Sequence, residues 1–195
     1  NAMFSENYQD RINGYYPYID LKSFVDYYII TELSRNLDGY RVSTFFQKDK
    51  DSKGGKLTMG PFWDYNICFG NANFFSAGNT VGWVIDGMGN ADSYAMPFWW
   101  QKFRLDPYFN SHLKIRWNEM KDKFINTTYI NNLIDSCAYE LKDASVRNFQ
   151  TWNVLNSYVW PNNYVGGTYA NELNYLRNWM KDRIDWMDSQ IQPLV

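Results

Sequence analysis

Acidic side chains are the groups through which this sequence could carry out chemistry. Asp38 follows a predicted helix, and Asp64 follows the second of two predicted strands, with Asn66 close behind it. Antiparallel pairing brings the start of one strand beside the end of the next, so we expect Asp38 and Asp64 to be neighbours in space. Two carboxylates and an amide can hold Mg²⁺, which accepts oxygen ligands and keeps substrate phosphates in its shell. One carboxylate can instead orient a hydroxyl nucleophile.

A purely structural role explains the same acids, because aspartates at the ends of helices and strands commonly serve as caps and turn residues. The pattern alone leaves both explanations open. Other catalytic residue types are scarce. The single histidine, His112, lies in a predicted helix and is expected to be at the surface or partly packed. Cys68 and Cys137 share no CxxC spacing, which favours two reduced or buried thiols over a bridge.

A helix and a hairpin are the predicted elements that position the acids. Asp20 is placed to cap a helix that runs to Asn36, with apolar residues recurring at helical spacing on one face. We expect Gly39 to end that helix in a left-handed conformation. Two segments rich in β-branched and aromatic residues then predict a hairpin, with strands at 41–48 and 56–63.

The rest of the chain is predicted to be helical apart from its loops. Pro61 makes the second strand irregular, and residues 64–94 form a long loop whose many rings favour an ordered structure. Thr127 or Thr128 is expected to cap one of the later helices. The predicted later helices are 97–105, 107–123, 127–148 and 168–190. The predicted fold class is therefore mainly α with a small β-hairpin.

Composition limits the classes of partner. The 195 residues carry a net charge of −2 with 45% hydrophobic and 21% charged residues, which is typical of a soluble globular domain. No basic run could follow a nucleic-acid backbone, and no apolar run reaches the roughly 18 residues that a membrane span needs. Residues 1–3 resemble the remnant of an expression tag, and residues 4–195 are expected to form a single domain.

Aromatic content is the unusual feature, with 9 Trp, 16 Tyr and 13 Phe residues. Such rings fill cores, and they also form surfaces that bind sugars or proteins. The sequence therefore has a second, non-catalytic interpretation, an aromatic-rich surface module that binds glycan or protein. Trp99, Trp100 and Trp160 are its candidate rings, and core packing is the competing explanation for them.

Three segments of the chain resemble a known family. They are ELSRNLDGYRVSTFFQKDKDSKGGKLTMGPFWDYNICFGNA, RNFQTW and VWPNNYVGGTYANELNYLRNW. These segments resemble the spore coat protein H (CotH) kinase-like family, and the resemblance extends from about Tyr18 to the last helix. That family is similar to the C-lobe of protein kinases. The resemblance therefore implies a C-lobe-like fold and Mg²⁺–ATP-dependent phosphoryl transfer to Ser or Thr of a protein.

The resemblance also implies roles for individual residues. Asn36-Leu37-Asp38 matches the catalytic element, with Asp38 as the catalytic acid, and Trp63-Asp64-Tyr65-Asn66 matches the metal-binding element. Asp64 would hold the metal, with Asn66 as a second ligand. Asn36 and Ser43 would help to bind the cofactor. Ser43 stands where protein kinases place a metal-binding Asn, so the match to protein kinases is incomplete at the second metal ligand.

The sequence lacks the features with which protein kinases bind the phosphates of ATP. No Gly-rich loop follows an early strand, no strand lysine precedes Asn36, and Gly87-Met88-Gly89 fits a turn better than a phosphate loop. We therefore expect a C-terminal fragment that is inactive alone, with ATP and Mg²⁺ bound by the intact parent. The expected partners are a protein substrate or the missing N-terminal lobe. The resemblance implies an extracytoplasmic or cell-envelope location in a bacterium.

Overall fold

The computed structural model describes residues 2–87 and 96–194, and α-helices dominate them. In chain order the helices are α1 (Leu21–Ser34), α2 (Val84–Gly87), α3 (Phe98–Arg104), α4 (Pro107–Lys123), α5 (Thr127–Glu140), α6 (Lys142–Thr151) and α7 (Tyr169–Ile191). The strands β1 (Phe46–Lys48) and β2 (Leu57–Met59) pair antiparallel, with Phe46 opposite Met59. The prediction of a mainly α fold with a small hairpin is confirmed.

Helix α1 begins where the sequence predicts and ends earlier. The Asp20 side chain accepts a hydrogen bond from the Ser23 backbone N–H at 2.8 Å, as expected for an N-cap. The helix ends at Ser34 because Arg35 adopts a left-handed conformation with φ 55°. The predicted end at Asn36 with Gly39 as the cap is therefore wrong. The Arg35 guanidinium compensates for its backbone conformation by donating to three main-chain carbonyls of the 76–82 loop, at 2.6 to 3.0 Å.

The hairpin is shorter than predicted at both outer ends. Before β1 the chain folds into a turn, in which the Asp38 carbonyl accepts from the backbone N–H groups of Val42 at 2.9 Å and Ser43 at 3.0 Å. Strand β2 ends at Met59, directly before Gly60 with φ 115° and Pro61. The predicted irregularity at Pro61 is confirmed, since proline has no N–H to donate to a ladder.

The helices predicted after residue 96 begin within one residue of the predicted positions. The Asp106 carboxylate accepts from the Tyr108 N–H at 2.9 Å, and Thr168 caps α7. The predicted helix over 127–148 is two helices, because the chain turns at Leu141. Thr127 or Thr128 as its cap is also wrong: Asn126 is the cap, and its Oδ1 accepts from the Tyr129 N–H at 2.9 Å.

Helix α1 lies at the centre of the core, where it packs against α4, α7 and β2. Large aromatic side chains from several elements are fully buried there, including Tyr28, Trp100, Phe109 and Trp117. Such rings remove large apolar areas from water and therefore supply much of the stabilisation. The core thus fixes both the C-terminal end of α1 and the hairpin, which are the elements that carry the acids.

A few of the predictions fall on residues outside the described ranges. They concern Asn1 of the expected tag remnant, the ring of Tyr94, and Met88 and Gly89 of the expected turn.

Candidate functional site

The segment after α1 and the segment after β2 meet at Asp64. The Ser43 hydroxyl donates to Asp64 Oδ2 at 3.0 Å, and Asn36 Nδ2 donates to the Asp64 main-chain carbonyl at 3.3 Å. The Ser43 backbone N–H donates to the Asp38 carbonyl. Asn36, Asp38, Ser43 and Asp64 therefore gather in one place. The predicted strand pairing brings Phe45 beside Gly60, and the turn between Asp38 and Ser43 adds Asp38 to the same place.

Asp38 lies at the rim of this cluster. Its side chain is 30% exposed, and Arg41 Nη2 lies 3.6 Å from Asp38 Oδ1. The Arg41 side chain is only 5% exposed and also donates from Nε to the Leu37 carbonyl at 3.2 Å. The Asp38 backbone N–H donates to Asn36 Oδ1 at 3.1 Å. The carboxylate is thus held in position by its own turn while one side of it stays accessible to water.

Asp64 occupies an unusual backbone position. Its φ is 65°, in the left-handed region that aspartate, asparagine and glycine tolerate better than other residues. The residue is exposed, and the hydrogen bonds from Ser43 and Asn36 restrain its carboxylate and its carbonyl. The local backbone therefore presents an accessible carboxylate at a defined place beside Asp38.

A buried thiol lies behind the two acids. Cys68 is 2% exposed, and burial raises the pKa of its thiol to about 12. A hydrogen bond with Ser34 opposes that shift, whereas the charges of Asp38 and Asp64 add to it. Sequence reasoning treated Cys68 only as a reduced or buried residue and missed its place beside the acids. Its position four residues after Asp64 was the available signal.

The oxygen atoms of the cluster fit Mg²⁺ better than they fit a softer metal. The side-chain donors are carboxylates, an amide and a hydroxyl, and hard cations prefer such oxygen ligands. Within residues 2–87 and 96–194, no three His, Cys, Asp or Glu side chains form a metal-binding group. A pair of carboxylates is nevertheless a usual anchor for Mg²⁺, which keeps several waters and phosphate oxygens in its shell.

Asn66 is the site residue that the structure connects least to the others. It is exposed, and its main-chain carbonyl accepts from Asn71 Nδ2 at 3.0 Å. None of the hydrogen bonds of the described residues joins its side chain to Asp64. Its assignment as a metal ligand therefore stays a prediction.

A buried ion pair supports the end of α1 just before the site. Arg183 Nη2 lies 3.3 Å from Glu32 Oε2, and both side chains are fully buried. Burial raises the pKa of Glu32, and the Arg183 charge opposes that shift, while burial lowers the pKa of Arg183 to about 10. The Glu32 carboxylate also accepts from the backbone N–H groups of Val84 and Ile85 at 2.8 and 3.2 Å. This network ties α1 to α7 and α2.

The candidate binding rings have different environments. Trp100 is 1% exposed and belongs to the core, so its assignment to a binding surface is wrong, and Trp99 is only partly exposed. Trp160 is 72% exposed and stacks on Phe74 with centroids 6.1 Å apart and an interplanar angle of 13°. The prediction for His112 is confirmed, since its partly buried ring contacts the Tyr108 carbonyl through Nδ1 at 3.0 Å.

Comparison with known proteins gives one positive result. The model of a protein family described as "CotH kinase protein" matches residues 3–187, which is most of the chain. No curated protein and no solved structure matches it. Separately, none of the helices in the described part of the chain is both long and apolar enough to cross a membrane.

Proposed function

The chain belongs to the CotH kinase protein family, and we propose that Asp38 and Asp64 form the acid pair of a site for Mg²⁺–ATP-dependent phosphoryl transfer to Ser or Thr of a protein. The observation that carries this proposal is the placement of Ser43. Its backbone N–H donates to the Asp38 carbonyl, and its hydroxyl donates to the Asp64 carboxylate at 3.0 Å. One residue thereby contacts both the main chain of Asp38 and the carboxylate of Asp64.

The proposed roles differ because the two carboxylates have different surroundings. Asp38, steadied by Arg41 at 3.6 Å, accepts a hydrogen bond from the substrate hydroxyl and orients it for attack. Asp64, with Asn66 as a second ligand, holds Mg²⁺, and Asn36 and Ser43 keep that anchor in place. When bound, Mg²⁺ neutralises charge on the phosphates. The residues of this chain contribute positioning rather than covalent chemistry.

We assign the complete reaction to the intact parent protein and expect this chain to be inactive alone. The sequence before Asn36 offers neither a Gly-rich loop nor a strand lysine for the ATP phosphates. The same proposal includes a fold that resembles the C-lobe of a protein kinase. A family named for spore coat proteins also supports a place in the bacterial cell envelope.

Calorimetric titration of Mg²⁺–ATP is the test of the Asp64 role. The parent is expected to bind, the parent with Asp64→Ala to lose binding, and the present chain to bind weakly or not at all. Asp49→Ala is the matched control, because Asp49 is an exposed aspartate in the turn of the same hairpin. Unchanged binding by the parent with Asp64→Ala would remove Asp64 from the metal site.

A kinase assay tests the Asp38 role. Asp38→Asn keeps the shape of the side chain and removes its negative charge, so the rate of phosphoryl transfer is expected to fall by about 10²–10⁴-fold in the parent. Mg²⁺–ATP binding should persist, because the proposal gives that task to Asp64. A parent with Asp38→Asn that transfers phosphate at the normal rate would show that Asp38 does not orient the nucleophile.

A further inference from the structure

A polar groove separate from the acid pair lies between the loop at residues 78–81 and helix α7. Its volume is about 520 Å³, within the range of about 300–1,000 Å³ that is usual for small-molecule sites. The lining side chains that matter here are Asn79, Thr80, Asn163, Asn178, Trp179 and Asp182. The set is rich in amide, hydroxyl and carboxylate groups, and it includes an aromatic ring.

Much of the hydrogen-bonding capacity in this groove is unused. The side chains of Asn79, Thr80 and Asn178 make no hydrogen bond to any other residue that the structure describes. Asn163 donates from Nδ2 to the Tyr175 hydroxyl at 3.0 Å, which leaves its carbonyl oxygen available. Asp182 is 61% exposed and lies 3.8 Å from Lys181 Nζ, too far for a strong ion pair. Several donors and acceptors therefore face solvent within one concave surface.

Hydrogen bonds fix the floor of the groove, so the polar side chains that line it are preorganised. Trp179 Nε1 donates to the Gly78 carbonyl at 2.9 Å, and Arg183 Nη1 donates to the Thr80 carbonyl at 2.9 Å. A Cβ added at Gly78 would lie 2.4 Å from the Asn163 side chain, so only glycine allows this close approach. A preorganised site loses less conformational entropy when it binds a ligand, and that raises its affinity.

We propose that this groove binds a neutral carbohydrate. Sugar hydroxyls both donate and accept, which matches amide side chains that do the same and a carboxylate that accepts. None of the described residues that line the groove is a lysine or arginine, and Asp182 repels anions, so a phosphate or nucleotide is a poor fit. Trp160 does not line the groove, but it lies three positions before Asn163 in the chain, and its exposed indole is oriented by a stack on Phe74.

Calorimetry with cellotriose, maltotriose and chitotriose tests the proposal on the present chain. At least one trisaccharide is expected to bind. Asp182→Ala should weaken that binding about tenfold and Asn178→Ala about threefold, because each removes a hydrogen-bonding group, one of them charged. Both residues are exposed, and so the two variants are expected to fold normally, which thermal unfolding would verify.

Two substitutions on the same helix serve as matched controls. Asp185→Ala removes a carboxylate that is as exposed as Asp182 and that pairs with Lys181 at 2.8 Å, but it lies outside the groove. Asn174→Ala is the control for Asn178→Ala, because it removes an exposed amide that lies outside the groove. Both should bind the saccharide with unchanged affinity. The proposal fails if no trisaccharide binds, or if the groove variants and the controls bind equally. It also fails if the unchanged chain binds a Ser-containing peptide but no sugar, and Asp182→Ala weakens the binding of that peptide.

Discussion

Ser43 connects the two acids of the site, although its side chain is small and almost buried. Its N–H donates to the Asp38 carbonyl, and its hydroxyl donates to Asp64 Oδ2. The Asp64 rotamer therefore depends on this hydroxyl. Groups that orient a metal ligand without touching the metal commonly change its affinity by about 10–100-fold.

Replacing Ser43 by alanine should therefore lower the affinity of the parent for Mg²⁺–ATP by about 10–100-fold, as measured by calorimetry. Thr44→Ala is the control, since the Thr44 hydroxyl donates to the Gly39 carbonyl in the same turn and does not contact Asp64. Equal losses in the two variants would mean that the turn matters only for stability.

The two cysteines should differ sharply in reactivity. Cys68 is buried with a thiol pKa of about 12, whereas Cys137 is exposed. Since the thiolate is the nucleophile, iodoacetamide at pH 8 is expected to label Cys137 alone in the folded protein and both residues after denaturation. Mass spectrometry of the labelled peptides measures this. Modification of Cys68 in the native protein would contradict its buried position.

The raised pKa of Cys68 also predicts a pH dependence with a definite sign. Its folded value of about 12 lies above the ordinary value of 9.0, so the folded protein keeps this proton longer than the unfolded chain does. The contribution to stability is complete below pH 9 and is lost as the pH rises towards 12. Cys68→Ala should flatten the decline of the unfolding free energy over that interval in urea titrations.

At the scale of residues, the sequence predicted that antiparallel pairing would bring Asp38 and Asp64 close together, and the pairing of Phe45 with Gly60 is part of that arrangement. Asp38 and Asp64 were recognisable because each follows a predicted element. The full turn from Asp38 to Ser43 was not predicted, because Asp38-Gly39 indicated only the helix break and residues 41–48 were assigned to the first strand. The four-residue spacing placed Cys68 near Asp64 along the chain, but its burial beside Ser34 depends on packing that no local pattern encodes.

At the scale of elements, the end of α1 depends on the buried Glu32–Arg183 pair. Removing one member of such a pair leaves an uncompensated buried charge, which usually costs about 3–5 kcal/mol of stability. Glu32→Gln is expected to lower the unfolding free energy by that amount in urea titrations. Asp185→Asn, in an exposed pair with Lys181, should change it little. A small effect of Glu32→Gln would mean that water or a local shift screens Arg183.

The start of α5 permits a direct comparison of neighbouring residues. The Asn126 side chain accepts from the Tyr129 N–H, whereas Thr127 is exposed inside the helix. Asn126→Ala should cost about 1 kcal/mol of stability by thermal or urea unfolding, and Thr127→Ala should cost much less. The opposite order would restore Thr127 as the cap.

Helix starts were predicted more accurately than helix and strand ends, for a physical reason. The caps at Asp20, Asp106 and Thr168 act on backbone N–H groups two or three residues away, so the sequence contains the whole interaction. The end of α1 depends on Arg35 reaching carbonyls of the 76–82 loop, a contact between distant segments. No local signal could have predicted a left-handed arginine.

For the whole molecule, the class of fold followed from helical periodicity and one hairpin pattern, and the structure agrees. The hairpin also carries a group of exposed apolar side chains close to the acids: Val42, Phe45, Phe46, Phe62 and Trp63. Of these rings, Phe45 and Trp63 contact each other edge to face, and clustered apolar surface commonly marks a place where another protein packs. We expect it to make the chain associate with itself at high concentration.

Sedimentation velocity over a range of concentrations measures this association. The double variant Phe45→Ser, Trp63→Ser should stay monomeric at concentrations where the unchanged chain associates, because it removes exposed rings from the group. Ile12→Ser is the control, since Ile12 is exposed but lies outside the group. If the double variant associates as strongly as Ile12→Ser does, the contact between copies lies elsewhere on the chain.

The left-handed backbone at Asp64 has an evolutionary consequence. One base change converts an aspartate codon into a codon for asparagine or glycine, the residue types that accept φ 65° most readily. Both changes delete the carboxylate without straining the main chain, so Asp64→Asn and Asp64→Gly should melt close to the temperature of the unchanged protein. Selection for a folded domain therefore cannot preserve this acid. On the role proposed for Asp64, a lineage can drift into a well-folded descendant without that role in a single step, and only selection on the chemistry itself opposes that drift.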